Sequence, residues 1–271
     1  MPSVALRALS PALAPFVESI HHHEGELPDV QERILPGGRV HLMVNLYEDE
    51  FRTYHGADCL TVHRTRGAVF AGPNSRATVI DTREQRRVVM VNFKLGGAAP
   101  FFHTPICEAR DQLVDLDNLW GRDGRLLREQ LLDGGKPDAI LRVLDRVLVD
   151  HLVHAADLDP MIPLAACAFE RGWSVSQTAT WLGFLPKTFV RRFRKHVGLS
   201  PKRFARIRRL QRVLESISLA DSVDWCDVAH RYGYADQAHF IHDFRELTGL
   251  TPAAYRPRSP AEYNHAPVSR A

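Results

Sequence analysis

Two hydrophobic periods divide this 271-residue chain. Residues 30–95 alternate in short stretches, most clearly in Val40-His41-Leu42-Met43-Val44-Asn45-Leu46, where every second position is apolar. A second run from Arg87 to Leu95 is β-branched and apolar. A period of two marks a strand with one buried face. Pro36-Gly37-Gly38, Gly56-Ala57-Asp58, Gly72-Pro73-Asn74 and Gly96-Gly97 interrupt these runs at strand-and-turn intervals. Together they predict an antiparallel barrel or sandwich of the cupin-like kind. From about residue 123 the period becomes helical, over 123–133 and 137–153. Ile140, Leu141, Leu144, Val147, Leu148 and Leu152 form one stripe on the second helix. That stripe packs against its own domain or, less expectedly, against a second copy.

Periodicity stops near Ala155–Pro163, where Asp159-Pro160 and Ile162-Pro163 occur, and resumes in a helical pattern that says the same thing twice. Ala179, Gly183 and Phe184 return fifty positions later as Ala229, Gly233 and Tyr234. One residue further on, Phe193, Gly198, Leu199, Ser200, Pro201 and Phe204 return as Phe244, Gly249, Leu250, Thr251, Pro252 and Tyr255. A repeat of this kind marks one supersecondary unit used twice. In each copy a small residue on a short helix lies four positions before a glycine. The glycine turns the chain into a longer helix, which is the pattern of a helix-turn-helix. The Gly-Leu-Ser/Thr-Pro phrase then closes that helix and opens the next: glycine at C′, hydroxyl at the N-cap, proline at N1.

The predicted helices run from about Pro163 to Arg171, from Ser174 (as cap) to Trp181, and over 186–197. A connector over 201–217 and a second pair over 224–231 and 236–247 follow. The fold expected is therefore α+β in two domains. Residues 1–157 form a small antiparallel β-barrel or sandwich with flanking helices; residues 158–257 form an all-α double helix-turn-helix. The Pro/Ser/Ala-rich residues 258–271 read as a flexible tail.

Charge sharpens this picture. Residues 171–212 hold twelve Lys/Arg and no Asp or Glu. Residues 1–170 hold 18 basic against 24 acidic, and residues 213–271 hold 5 against 8. A formal net charge of only +3 thus hides a strongly basic segment, the footprint of a phosphate-binding face.

Asp236-Gln237-Ala238-His239-Phe240 through Phe244, followed by Gly249-Leu250-Thr251-Pro252-Ala253-Ala254-Tyr255-Arg256, resembles the AraC/XylS family of bacterial transcription regulators. The resemblance covers roughly residues 160–257. It implies sequence-specific binding of double-stranded DNA through both units. Many such regulators carry a cupin-like effector-binding or dimerisation domain in front, and residues 36–39 and 96–102 look like one uncharacterised version of it. A homodimer, a small-molecule effector and, for an activator, RNA polymerase are the partners implied.

Spacing nominates the contacts. Lys187, Arg191 and Lys195 share the face of the first recognition helix opposite Phe189, Phe193 and Val197. The N-terminal part of such a helix enters the major groove, so Lys187, Thr188 and Arg191 are expected at base edges, Arg192 and Lys195 at phosphates. Arg203 on the connector joins them. In the second unit Gln237, Ala238, Ile241, His242 and Arg245 face outward, with Gln237 suited to adenine. Leu185-Pro186 stands where the family usually has Ser-Pro, and the capping hydroxyl is missing.

Other chemistry is poorly supported. His21, His22, His23, His41, His55, His63 and His103 invite a metal, but Met43 breaks any His-x-His at His41, and consecutive strand residues face opposite sides. No cofactor is expected, and surface or hydrogen-bonded histidines are the simpler reading. A cupin-type metal-dependent enzyme fused to a DNA-binding module is the alternative function. Cys59, Cys107, Cys167 and Cys226 are too dispersed for zinc, disulfides or a cysteine-based alkyl-transfer repair site, and fit a reducing cytosol. RNA binding leaves the paired units unexplained. No run approaches the ~18 apolar residues of a membrane span. The first residues, with Arg7 and prolines at 2, 11 and 15, do not read as a signal peptide. A cytoplasmic regulator that is not an enzyme is the expectation.

Overall fold

The computed structural model describes residues 3–26, 30–55, 61–152, 158–217 and 223–268. The turn at 56–58, Cys59 and the start of the boundary segment at 155–157 lie outside these residues. Ten strands precede the helical region: β1 (Ser3–Leu6), β2 (Val17–Glu24), β3 (Gln31–Ile34), β4 (His41–Asn45), β5 (Glu50–His55), β6 (Thr61–Arg66), β7 (Ala68–Ala71), β8 (Thr78–Asp81), β9 (Arg87–Phe93) and β10 (Leu113–Asp115). A last strand, β11 (His265–Pro267), follows the helices. They form two antiparallel sheets, ordered β1-β2-β9-β4-β7-β10 and β11-β3-β8-β5-β6. The result is a sandwich; among the described residues no closed barrel forms.

The alternation read along 40–46 is realised. Leu42 and Val44 of β4 are fully buried, as are Val89 and Val91 of β9 beside them. Behind this face lie α1 (Asp117–Trp120), α2 (Arg122–Asp133) and α3 (Pro137–Asp150). The stripe on α3 is consumed there: Ile140, Leu141, Leu144 and Leu148 are buried in the same cluster as Leu42 and Phe93, with Val147 and Leu152 packed against it. It is therefore not a free dimerisation face.

His22 corrects the histidine reading. It is buried on β2, with both ring nitrogens lacking a hydrogen-bond partner among the described residues. Burial pushes its pKa down. His41 does follow expectation, its Nδ1 lying 2.7 Å from Asn92 Oδ1. No group of three or more metal-ligating side chains occurs among the described residues. No helix among them is long and apolar enough to cross a membrane. Cys107, Cys167 and Cys226 are free thiols, the last two exposed.

The helical region contains α4 (Met161–Glu170), α5 (Val175–Trp181), α6 (Pro186–Val197), α7 (Pro201–Ile217), α8 (Trp225–Arg231) and α9 (Gln237–Thr248). Helix α4 starts two residues earlier than the pattern indicated, because Asp159 Oδ1 accepts the Met161 amide at 3.1 Å. Phe189 and Phe193 of α6 and Phe240 and Phe244 of α9 are fully buried, and α7 joins them through Phe204, Ile207, Leu210, Val213 and Leu214.

Residues 258–268 of the tail, expected to be flexible, are instead structural. β11 pairs antiparallel with β3, placing His265 opposite Ile34, and His265 Nδ1 lies 2.9 Å from the buried carboxylate of Glu32. Tyr255 Oη donates to the Tyr263 carbonyl at 2.5 Å. Composition is blind to this because the stabilising partner is the free edge of β3, over 230 residues away in sequence.

Candidate nucleic-acid interface

Each helix-turn-helix is assembled from local signals. Ser174 caps α5 in a full capping box with Gln177, and Gly183 at φ 74° makes the turn. The Phe184 amide then bonds back to the Ala179 carbonyl at 2.9 Å. The second unit repeats this: Asp224 caps α8, Gly233 turns at φ 72°, and the Tyr234 amide reaches the Ala229 carbonyl at 2.9 Å. Ala179 and Ala229 are both buried, as their small size requires where two helices meet. Both recognition helices end on left-handed glycines, Gly198 at φ 82° and Gly249 at φ 71°.

These two glycines also fix where the recognition helices meet the β-domain. A methyl group on Gly198 would lie 2.6 Å from Pro73 Cγ, and one on Gly249 would lie 2.6 Å from Arg33 Nη1. Residues 73–77 reach both recognition helices and the connector: Pro73 at Gly198, the Ser75 carbonyl at Arg203 (3.1 and 2.7 Å), and the Ala77 amide at the Leu247 carbonyl (2.8 Å). Gln211 of α7 adds a 2.9 Å bond to the Pro36 carbonyl. Helices α6 and α9 thus dock on the β-domain by their C-terminal ends.

Along the outer face of α6, Lys187, Arg191, Arg194 and Lys195 are exposed, and Thr188 is half-buried; Arg194 and Lys195 belong to its last turn. No acidic side chain among the described residues pairs with those four cations. On α9, Gln237, Ala238, Ile241, His242 and Arg245 are all exposed, and Cys226 Sγ donates to Gln237 Oε1 at 3.3 Å.

Two nominated residues are otherwise engaged. Arg192 Nε donates to Asp159 Oδ2 at 2.5 Å and its guanidinium lies 5.3 Å from the Phe184 ring centre. Burial opposes ionisation of Asp159, yet the Arg192 and Met161 bonds hold its pKa below the usual carboxylate range. Arg203 is further removed, held by the Ser75 carbonyl and by Glu246. We therefore expect Arg203→Ala to leave the salt slope of DNA binding unchanged. Loss of a true phosphate contact would reduce that slope by about one.

The same correction extends along the connector. Arg206 pairs with Asp243 and Glu246, Arg208 with Glu170 at 2.7 Å, and Arg212 with the Glu170 carbonyl at 2.9 Å. Arg209 lies over Tyr234, 4.9 Å from its ring centre. The basic run therefore divides: on α6 it faces solvent, whereas on α7 most of it cements the helices together. A hydrogen bond from Arg206, then one from Arg203, hold the Glu246 carboxyl at about 2. A depressed carboxylate contributes stability above its unfolded value of about 4.3 and loses it as pH falls toward the folded value. The wild-type melting temperature should consequently fall faster than that of Glu246→Gln between about pH 4.5 and 2.

Residues 178–258 match a family model described as a helix-turn-helix domain. The C-terminal region is an AraC-type DNA-binding domain. Residues 9–115 match a model described as a domain of unknown function. An uncharacterized HTH-type transcriptional regulator from Haemophilus influenzae is 30% identical over 87 residues, 32% of this chain. The chain spans 29% of that relative's length. ToxT from Vibrio cholerae is similar with a TM-score of 0.41 at 11% identity, over 93% of this chain and 96% of that one. The C-terminal domain of AraT, a response regulator from Geobacillus stearothermophilus, gives 0.33 at 18% identity, over 40% of this chain and 87% of that one.

Proposed function

We infer that this chain is a sequence-specific, effector-responsive transcription regulator that inserts α6 and α9 into successive major grooves of one duplex. The observation that carries the reading is the unpaired cationic face of α6, set on the recognition helix of an AraC-type domain. Lys187, Thr188 and Arg191 sit toward the groove-entering end; Lys195 suits a phosphate. Gln237, Ala238, Ile241, His242 and Arg245 form the corresponding face of the second unit. With α7 spanning roughly 25 Å, the two units can lie about one DNA turn apart, ~34 Å. An AraC-type domain favours a regulator over an enzyme.

The β-domain supports effector response because it touches both recognition helices and the connector. A cleft of about 310 Å³ lies between the regions, lined by Arg39, Phe93 and Lys94 on one side and Glu170, Phe204 and Arg208 on the other. A small molecule there would touch both. Dimerisation, and contact with RNA polymerase if transcription is activated, complete the reading. The test is selection from a random duplex pool by the full-length chain, with sequencing of what is retained. A two-part motif with its halves about 10 base pairs apart supports the reading; absence of enrichment overturns it.

A further inference from the structure

We propose that Leu185 determines specificity in the first unit by reading the C5-methyl group of a thymine. This rests on the assignment of α6 as a recognition helix. Three of the four helices in the two units begin on a side-chain cap. Ser174 accepts from the Gln177 amide, Asp224 from those of Cys226 and Asp227, and Asp236 from that of His239. Helix α6 alone begins without one: Leu185 occupies the N-cap in extended conformation, φ −62°, ψ 139°. Aliphatic residues rank far below Ser, Asp or Asn at that position. Pro186 at N1 presets the helical backbone and fixes the start, but nothing local asks for leucine in front of it.

Nor does the core ask for it. At 76% exposure, Leu185 is the most exposed large hydrophobic side chain among the described residues. Its surroundings are cationic: Lys187 and Arg191 are exposed on the same helix, and no acidic residue occurs between positions 171 and 212. A surface that is both basic and tipped with a branched aliphatic group complements a partner that is anionic yet carries an isolated methyl group. The major groove of duplex DNA is such a surface, and thymine alone among its bases presents a methyl there. The side chain stands at the helix end that enters the groove.

The experiment takes the duplex selected by the full-length chain and replaces each thymine in turn by deoxyuridine, which removes the methyl and nothing else. Equilibrium binding is measured for the wild type, Leu185→Ala and Leu185→Ser; the serine variant also restores a capping hydroxyl, so helix loss cannot explain its behaviour. In the half-site of the first unit, one deoxyuridine should weaken wild-type binding by about fourfold, the scale of burying one methyl-sized group. Both variants should bind the thymine and deoxyuridine duplexes alike at that position. Wild-type tolerance of every deoxyuridine overturns the proposal while leaving the DNA-binding reading intact. So does sensitivity that survives in both variants, or an equal loss on thymine and deoxyuridine duplexes, which would indicate a protein-packing role. Failure to select any duplex overturns both.

Discussion

Arg191→Ala should weaken binding to the cognate duplex by about 1–3 kcal/mol and relax selectivity at one base position, with a much smaller loss on a scrambled duplex. The reasoning is geometric. Arg191 lies one turn beyond Lys187 on the outer face of α6, is exposed, and has no anionic partner among the described residues. Its guanidinium is therefore free for a bidentate contact with guanine, the commonest specific pairing in the major groove. Arg192, one residue further, already answers Asp159, so Arg192→Ala should lose part of its effect to the broken 2.5 Å ion pair. Titrations on cognate and scrambled duplexes separate the two residues. An equal loss for Arg191→Ala on both would make it a phosphate contact.

The largest stability effect should come from Phe193→Ala. This ring is fully buried on the inner face of α6, with neighbouring ring centres at 5.5 Å (Phe204), 5.8 Å (Phe169) and 5.9 Å (Phe189). Truncating a buried phenylalanine costs about 3–5 kcal/mol through lost transfer free energy and the cavity left behind. Because Phe204 belongs to α7 and Phe169 to α4, the cavity would loosen the first unit and its connector together. Denaturant titration should show that loss, accompanied by reduced binding to every duplex regardless of sequence. Arg191→Ala should leave the unfolding midpoint close to wild type, which distinguishes a reading residue from a packing one.

Much of the helical region was legible because its signals are local. Capping residues, turn glycines and the prolines at 186 and 201 lie within a few positions of the boundaries they set, and α6 and α7 start on those prolines. Periodicity likewise located β4, β9 and the buried stripe of α3. Three of the corrections share another cause: a partner distant in sequence. Residues 265–267 become a strand only because β3 has an open edge. Gly72-Pro73-Asn74 reads as a turn, and nothing in its composition says that Pro73 will meet Gly198. Arginine on α7 looks like arginine on α6 until Glu170, Asp243 and Glu246 are seen beside the former. Local charge density indicates a basic segment; only packing distinguishes neutralised cations from those left free.

The central claim, that α6 and α9 engage one duplex together, is tested most directly by guanine-methylation interference on the selected site with the full-length chain. The account predicts two clusters of interfering major-groove positions, centred about 10–10.5 base pairs apart on one face of the duplex. A single cluster, or two clusters on opposite faces, would contradict it.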